Sequence, residues 1–196
     1  MAIRKKILLA TKNRGKLVEI RAILGTDHFE FIPVDTIRMF PEIPETGTTF
    51  EENAIIKAKE SFKLTGIPAL ADDSGLWVDC LDGKPGVYSA RYAGENATDD
   101  ENTDKVLEEI KAFNPPYTAK YVCVLAYYDG KETITTEGEC NGELLLEKKG
   151  FNGFGYDPVF KPTGYDETMA ELDPETKNKL SHRFKALEKM KEALTK

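Results

Sequence analysis

Three cations, Lys12, Arg14 and Lys16, crowd the polar stretch Thr11-Lys12-Asn13-Arg14-Gly15-Lys16, directly after an apolar run and before a helical pattern. Backbone N–H groups at a helix N-terminus attract anions, and Gly15 lets the main chain come close, so the stretch reads as a polyphosphate cradle. It is not a Walker A loop: the upstream glycine is missing, and Leu17 stands where Ser or Thr would touch Mg²⁺. Taken alone, a solvated basic turn explains it equally well. A second stretch, Asp72-Asp73-Ser74-Gly75, follows a short apolar strand pattern. Carboxylates at a strand end suit a divalent cation or a general base, and neighbouring strand residues point oppositely, so one Asp suffices for a cleft. Composition alone favours an ordinary turn there. Glu45, in the loop before the second helix, reads by default as a helix-dipole partner.

Two further groups lie downstream. Phe154-Gly155-Tyr156-Asp157 offers an aromatic on a glycine loop, suited to stacking on a base or to plugging a core edge. Lys177 and Ser181-His182-Arg183 lie near the start of the C-terminal helical region. Leu180 and Phe184 define its buried stripe, which predicts that His182 and Arg183 point toward solvent or a ligand. Together the groups supply a phosphate clamp, an acidic metal site, a stacking aromatic and an acceptor-reading pair, the parts of a nucleoside triphosphate site.

These residues need an α/β frame. Lys6–Thr11 reads as a strand, with Leu17, Ile20 and Leu24 on a helix stopped by Gly25. Phe29–Pro33 is a second strand. Thr48 and Thr49, each with Glu three positions on, open a helix carrying Ala54, Ile55, Ala58 and Phe62. Ala69–Ala71 and Leu76–Leu81 read as separate strands, and Val87–Gly94 as a loop. Thr98 and Glu101 cap a third helix. Tyr121–Tyr128 and Glu132–Cys140 form a hairpin through Asp129-Gly130, and Val159–Phe160 a short strand. Asp173-Pro174 opens one C-terminal helix with Leu180, Phe184, Leu187, Met190 and Leu194 on its stripe. The sum is α/β with a mixed sheet.

Composition narrows the function classes. The 196 residues hold 27 Lys+Arg and 34 Asp+Glu, a net charge of −7, with 40% hydrophobic and 31% charged residues. That is a globular composition in a chain long enough for its own core. An acidic total argues against nucleic acid or a membrane surface held by charge alone, so bound anions need a local basic patch. The 3 cysteines, Cys80, Cys123 and Cys140, make no C-x-x-C, and His28 and His182 complete no zinc pattern. They read as buried thiols in a reducing compartment. The apolar stretch Ile7–Ala10 is too short for a signal or a span, which predicts a cytoplasmic protein.

The ordered blocks resemble the inosine triphosphate pyrophosphatase family. They are Leu8 to Lys16, Glu45 to Ala54, Ala71 to Leu76, Pro85 to Tyr92, Gly153 to Pro158 and Ser181 to Arg183, spanning nearly the whole chain. The resemblance implies a long curved mixed β-sheet flanked by helices, in two lobes of one catalytic domain with the groove between them, and a homodimer. It implies Mg²⁺-dependent hydrolysis of ITP, dITP and XTP to the monophosphate and pyrophosphate. By motif, Thr11, Lys12, Asn13, Arg14, Gly15 and Lys16 would bind the triphosphate. Glu45 and Asp73 would hold Mg²⁺, Asp73 would also accept the proton, and Ser74 would touch substrate. Phe154, Gly155, Tyr156, Asp157, Lys177, His182 and Arg183 would enclose the nucleotide. Lys12 and Arg14 depart from the glycine or uncharged residues of many members, and Phe184 from the glycine after Ser-His-Arg of bacterial ones.

With no Ser–His or Cys–His pair apparent, water is the expected nucleophile. The 6-keto edge of hypoxanthine or xanthine would accept from Arg183 and His182, where adenine presents a donor. A phosphotransferase, a Maf-like pyrophosphatase and a non-catalytic nucleotide-binding module are the rival readings.

Overall fold

The computed structural model describes residues 4–195. Its sheet has 6 strands in the order β2-β1-β3-β4-β5-β6: β1 Lys5–Leu9, β2 Phe29–Pro33, β3 Ala69–Val78, β4 Tyr117–Tyr128, β5 Thr133–Leu144 and β6 Phe160–Pro162. β1 runs parallel to β2, with Ile7 opposite Phe31, and parallel to β3, with Leu9 opposite Leu70. β5 and β6 are antiparallel, so the sheet is mixed, as the sequence predicts. Among the described residues no helix is long and apolar enough to cross a membrane.

The chain forms two compact units. The first comprises Met1–Asp73, Cys123–Gly138 and Arg183–Lys196. Its core gathers Ile7, Leu9, Leu17, Ile20, Leu24, Leu70, Leu125, Leu187 and Met190. The second comprises Ser74–Val122 and Glu139–His182, around Leu76, Val106, Ile110, Tyr121, Tyr156 and Phe160. Among the described residues no disulfide forms, and Cys123 and Cys140 are buried.

Helix starts follow the sequence closely. In α1 (Arg14–Leu24) the Asn13 side chain caps Lys16 N, and Leu17, Ile20 and Leu24 are buried. α2 (Phe50–Thr65) and α3 (Asp99–Ile110) both begin with a complete capping box, Thr49 with Glu52 and Thr98 with Glu101. The second box expected on α2 does not form as written: Thr48 also turns to Glu52, and Glu51 accepts from Thr135.

Two expectations are corrected. Asp72-Asp73-Ser74-Gly75 is no turn between strands but the middle of the continuous β3. Partners on both faces let buried carboxylates sit inside a strand without breaking it. The single C-terminal helix is two, α4 Pro174–Leu180 and α5 His182–Thr195, because Ser181 takes an extended backbone (φ −61°, ψ 141°). α5 buries the expected Leu187 and Met190 together with Arg183 and Ala186, while Phe184 is only half-buried.

Candidate active site

Parallel pairing of β1 and β3 brings the turn after β1 beside the middle of β3, and Ala10 N donates to Leu70 O at 2.9 Å. Asp72 and Asp73 then point to opposite faces, as strand alternation requires, and take different partners. Asp72 accepts from Lys16 Nζ at 2.6 Å, which bends the cationic turn onto the strand. Burial alone would push Asp72 up, yet Lys16, Arg183 and Lys57 together hold its carboxyl well below the usual range. Lys12, Asn13, Arg14 and Gly15 of the same turn are exposed, and Thr11 and Lys16 half-buried. Arg14 and Gly15 open the helix, so their N–H groups have no carbonyl one turn before them and stand at the anion-favouring end, while the Asn13 side chain takes the N–H of Lys16.

Asp73 belongs to a second arrangement in the same unit. Lys57 Nζ lies 2.8 Å from Glu45 Oε1 and 3.0 Å from Asp73 Oδ1. Asn53, fully buried, donates to Asp73 Oδ2 at 3.2 Å and accepts from Gly47 N at 2.8 Å, tying the Glu45 loop to the helix. The approach of that loop explains Gly47: a Cβ there would lie 2.6 Å from Glu52 Cβ. Burial pushes the Asp73 carboxyl up, and the pull of Lys57 does not cancel it. Burial would lower Lys57, but Asp73, Asp72 and Glu45 outweigh it and hold the ammonium charged.

The C-terminal pair separates. Arg183 is buried in the first unit, not aimed at solvent, and Nη1 donates to Glu19 Oε2 at 2.9 Å. Its Nε is buried without a hydrogen-bond partner among the described residues. His182 belongs to the second unit and stacks on Tyr121 (centroids 5.0 Å apart, planes at 15°).

The glycine–aromatic loop lies wholly in the second unit. Phe154 is 63% exposed, as a stacking platform needs. Tyr156 is turned inward and donates to Ser89 O at 2.8 Å, and Asp157 is buried too, so these two brace the loop rather than line an open surface. Asp157 Oδ2 accepts from Lys177 Nζ at 2.7 Å and Phe154 N at 2.9 Å, and Lys177 Nζ lies 5.6 Å from the Phe154 ring centre. Gly153, at φ +90°, is required, since a Cβ would collide with Asp157 Oδ2 and Lys177 Nζ. α3 clamps Gly155 from both sides: Asp99 accepts its N–H at 2.8 Å and Thr103 donates to its carbonyl at 3.3 Å. Ser74, half-buried, begins the second unit immediately after Asp73.

Sequence reasoning missed Lys57, Asn53, Glu19, Thr103 and Tyr121. Lys57 had a signal: with Asn53, Ala54, Ala58 and Ser61 it follows the helical spacing of the buried face.

A parallel α/β edge with a cationic helix turn beside buried carboxylates is the architecture of a phosphate-handling protein. The sequence profile of the Ham1 family matches residues 7–193, and the chain belongs to that family. It is 47% identical over 193 residues to a dITP/XTP pyrophosphatase of Oceanobacillus iheyensis (97% of this chain, 98% of that one). It is 46% identical over 196 residues to one of Bacillus subtilis (99% of each). The solved HAM1 protein of Coxiella burnetii superposes with a TM-score of 0.93 at 46% identity, covering 97% of this chain and 98% of that one. The Ham1 protein of Staphylococcus aureus gives 0.90 at 39% identity, with the same coverage.

Proposed function

We propose that this chain is a dITP/XTP pyrophosphatase, hydrolysing ITP, dITP and XTP to the monophosphate and pyrophosphate and so clearing non-standard purine nucleotides from the pool. The observation that carries the reading is the Lys57 ammonium held between Glu45 and Asp73, next to the Lys16–Asp72 pair, in a chain whose relatives bear that name over almost their full length.

The residues fit Mg²⁺. Two hard carboxylate donors already converge on one positive charge, 2.8 and 3.0 Å from Lys57 Nζ. Glu45 and Asp73 would hold it, and when bound it supplies charge neutralisation on the phosphate oxygens. Asp73, raised by burial, takes the proton of the attacking water as the α–β phosphate bond breaks. Lys57 orients Asp73 and Glu45, and Lys16 with the α1 turn neutralises the departing pyrophosphate.

Stacking on the purine is assigned to Phe154, and donation to its keto edge to Arg183 and His182, from the family resemblance. A homodimer working in the cytoplasm is part of the same proposal, from the family resemblance.

Incubation with ITP, dITP, XTP, GTP and ATP plus Mg²⁺, followed by chromatography, tests the reading. Monophosphate and pyrophosphate from the first three, with little from ATP, are expected. Diphosphate products, or binding without product, would reject it.

A further inference from the structure

Tyr121, in the second unit, is buried in β4, where a phenylalanine would pack as well, yet its hydroxyl has a specific task. It donates to Asp157 Oδ1 at 3.2 Å, the carboxylate oxygen opposite the one that holds Lys177 and Phe154 N. The same ring stacks on His182 at 5.0 Å and packs on Phe160 at 4.5 Å. One side chain therefore touches both the anchor of Lys177 and the imidazole of Ser-His-Arg.

We propose that Tyr121 is a positioning residue for purine recognition: its hydroxyl fixes the rotation of Asp157 so that Oδ2 keeps Lys177 over Phe154, while its ring face sets the plane of His182. The inference rests on the reading that these residues select a 6-keto purine. Three donors share the two oxygens of Asp157, one on Oδ1 and two on Oδ2. Removing the hydroxyl leaves a buried oxygen without its donor, so the carboxylate gains by turning toward Lys177 and pulling the ammonium off the ring. Burial, with Asp157 next in strength, raises the Tyr121 phenol well above its ordinary value, so it remains a donor throughout the working pH range.

The test is steady-state kinetics of Tyr121→Phe on ITP and ATP, with Tyr121→Leu as a second variant and thermal unfolding of each. Tyr121→Phe keeps the stack and loses only the donor. It is expected to raise KM for ITP about three- to tenfold with kcat within about twofold, and to narrow the ITP/ATP ratio of kcat/KM. Tyr121→Leu also loses the His182 stack and should raise KM further. In an Asp157→Leu background, which leaves no acceptor for the hydroxyl, Tyr121→Phe should add nothing. An unchanged KM and ratio for Tyr121→Phe, or an equal further loss in the Asp157→Leu background, overturns the proposal. If wild type releases no pyrophosphate from ITP, the functional reading fails. Tyr121 is then judged by equilibrium binding of ITP, where a three- to tenfold weaker Tyr121→Phe supports it and equal or absent binding overturns it.

Discussion

Two buried carboxylates, Asp73 in the first unit and Asp157 in the second, each accept from a lysine ammonium and a neutral N–H donor, yet their donor sets differ. Asp157 takes Lys177, Phe154 N and the Tyr121 hydroxyl. Asp73 takes Asn53 and Lys57, and Lys57 is divided with Glu45. Around Asp73, Glu19, Glu45, Asp72 and Asp73 stand against Lys16, Lys57 and Arg183, an excess of one negative charge. A carboxylate saturated with donors is a strut. One that shares its cation with a second carboxylate is disposed to bind a further cation or accept a proton, and Asp73 is raised by burial first, with Glu45 adding a lesser push. On the proposed reading, the first cluster reacts and the second holds.

Asp73→Asn tests the contrast most severely. It would remove the proposed proton acceptor and metal donor while preserving shape, and kcat should fall by about 10³-fold or more. The same variant in chelator should be more stable than wild type at neutral pH. A carboxyl whose folded pKa is raised contributes stability that is present below its unfolded value of about 3.8 and is lost as pH rises through the folded value, whereas the neutral amide loses nothing. Urea unfolding from pH 4 to 8 reads the difference. Near-normal turnover, or a variant less stable at pH 7 than at pH 4 by the wild-type margin, would break the comparison.

Lys57→Met comes next. It leaves Glu45 and Asp73 facing each other without the ammonium, so kcat/KM should drop about 10²-fold. Lys57 opposes the rise of Asp73, so its removal must move the acid limb of the pH–rate profile upward. An unshifted limb would mean that Lys57 does not govern the proton acceptor.

How far the site was legible follows from where its polarity sits in the chain. The cationic turn, the Asp72-Asp73 pair and the glycine–aromatic loop stand out because unusual residues are adjacent in sequence. The strand character of Asp72-Asp73 was hidden, since it depends on Lys16 and Lys57 arriving from elsewhere to neutralise both faces. Lys57 was masked by Lys59, Glu60 and Lys63, which make α2 look like a charged surface helix. The burial of Arg183 was hidden because no glycine or proline marks the break at Ser181. Tyr121 lies in a strand buried on both faces, where period-2 alternation vanishes and a tyrosine proposed to position the site looks like core.

The smallest expected effect sharpens the other side of the contrast. Thr103 on α3 donates to the Gly155 carbonyl at 3.3 Å, while Asp99 holds the Gly155 N–H at 2.8 Å. Thr103→Val is nearly isosteric and removes the weaker of these two ties. Gly155 is only half-buried, so water can replace the lost donor and the penalty stays near a single hydrogen bond, about 1 kcal/mol at most. Because Asp157, Lys177 and Tyr156 brace the loop independently, the loss should appear as a two- to threefold rise in KM for ITP with kcat unchanged. A strut cluster degrades by increments in this way, whereas the Asp73 cluster fails outright. A Thr103→Val enzyme that lost turnover as Asp73→Asn does would show that the second unit also takes part in the chemical step.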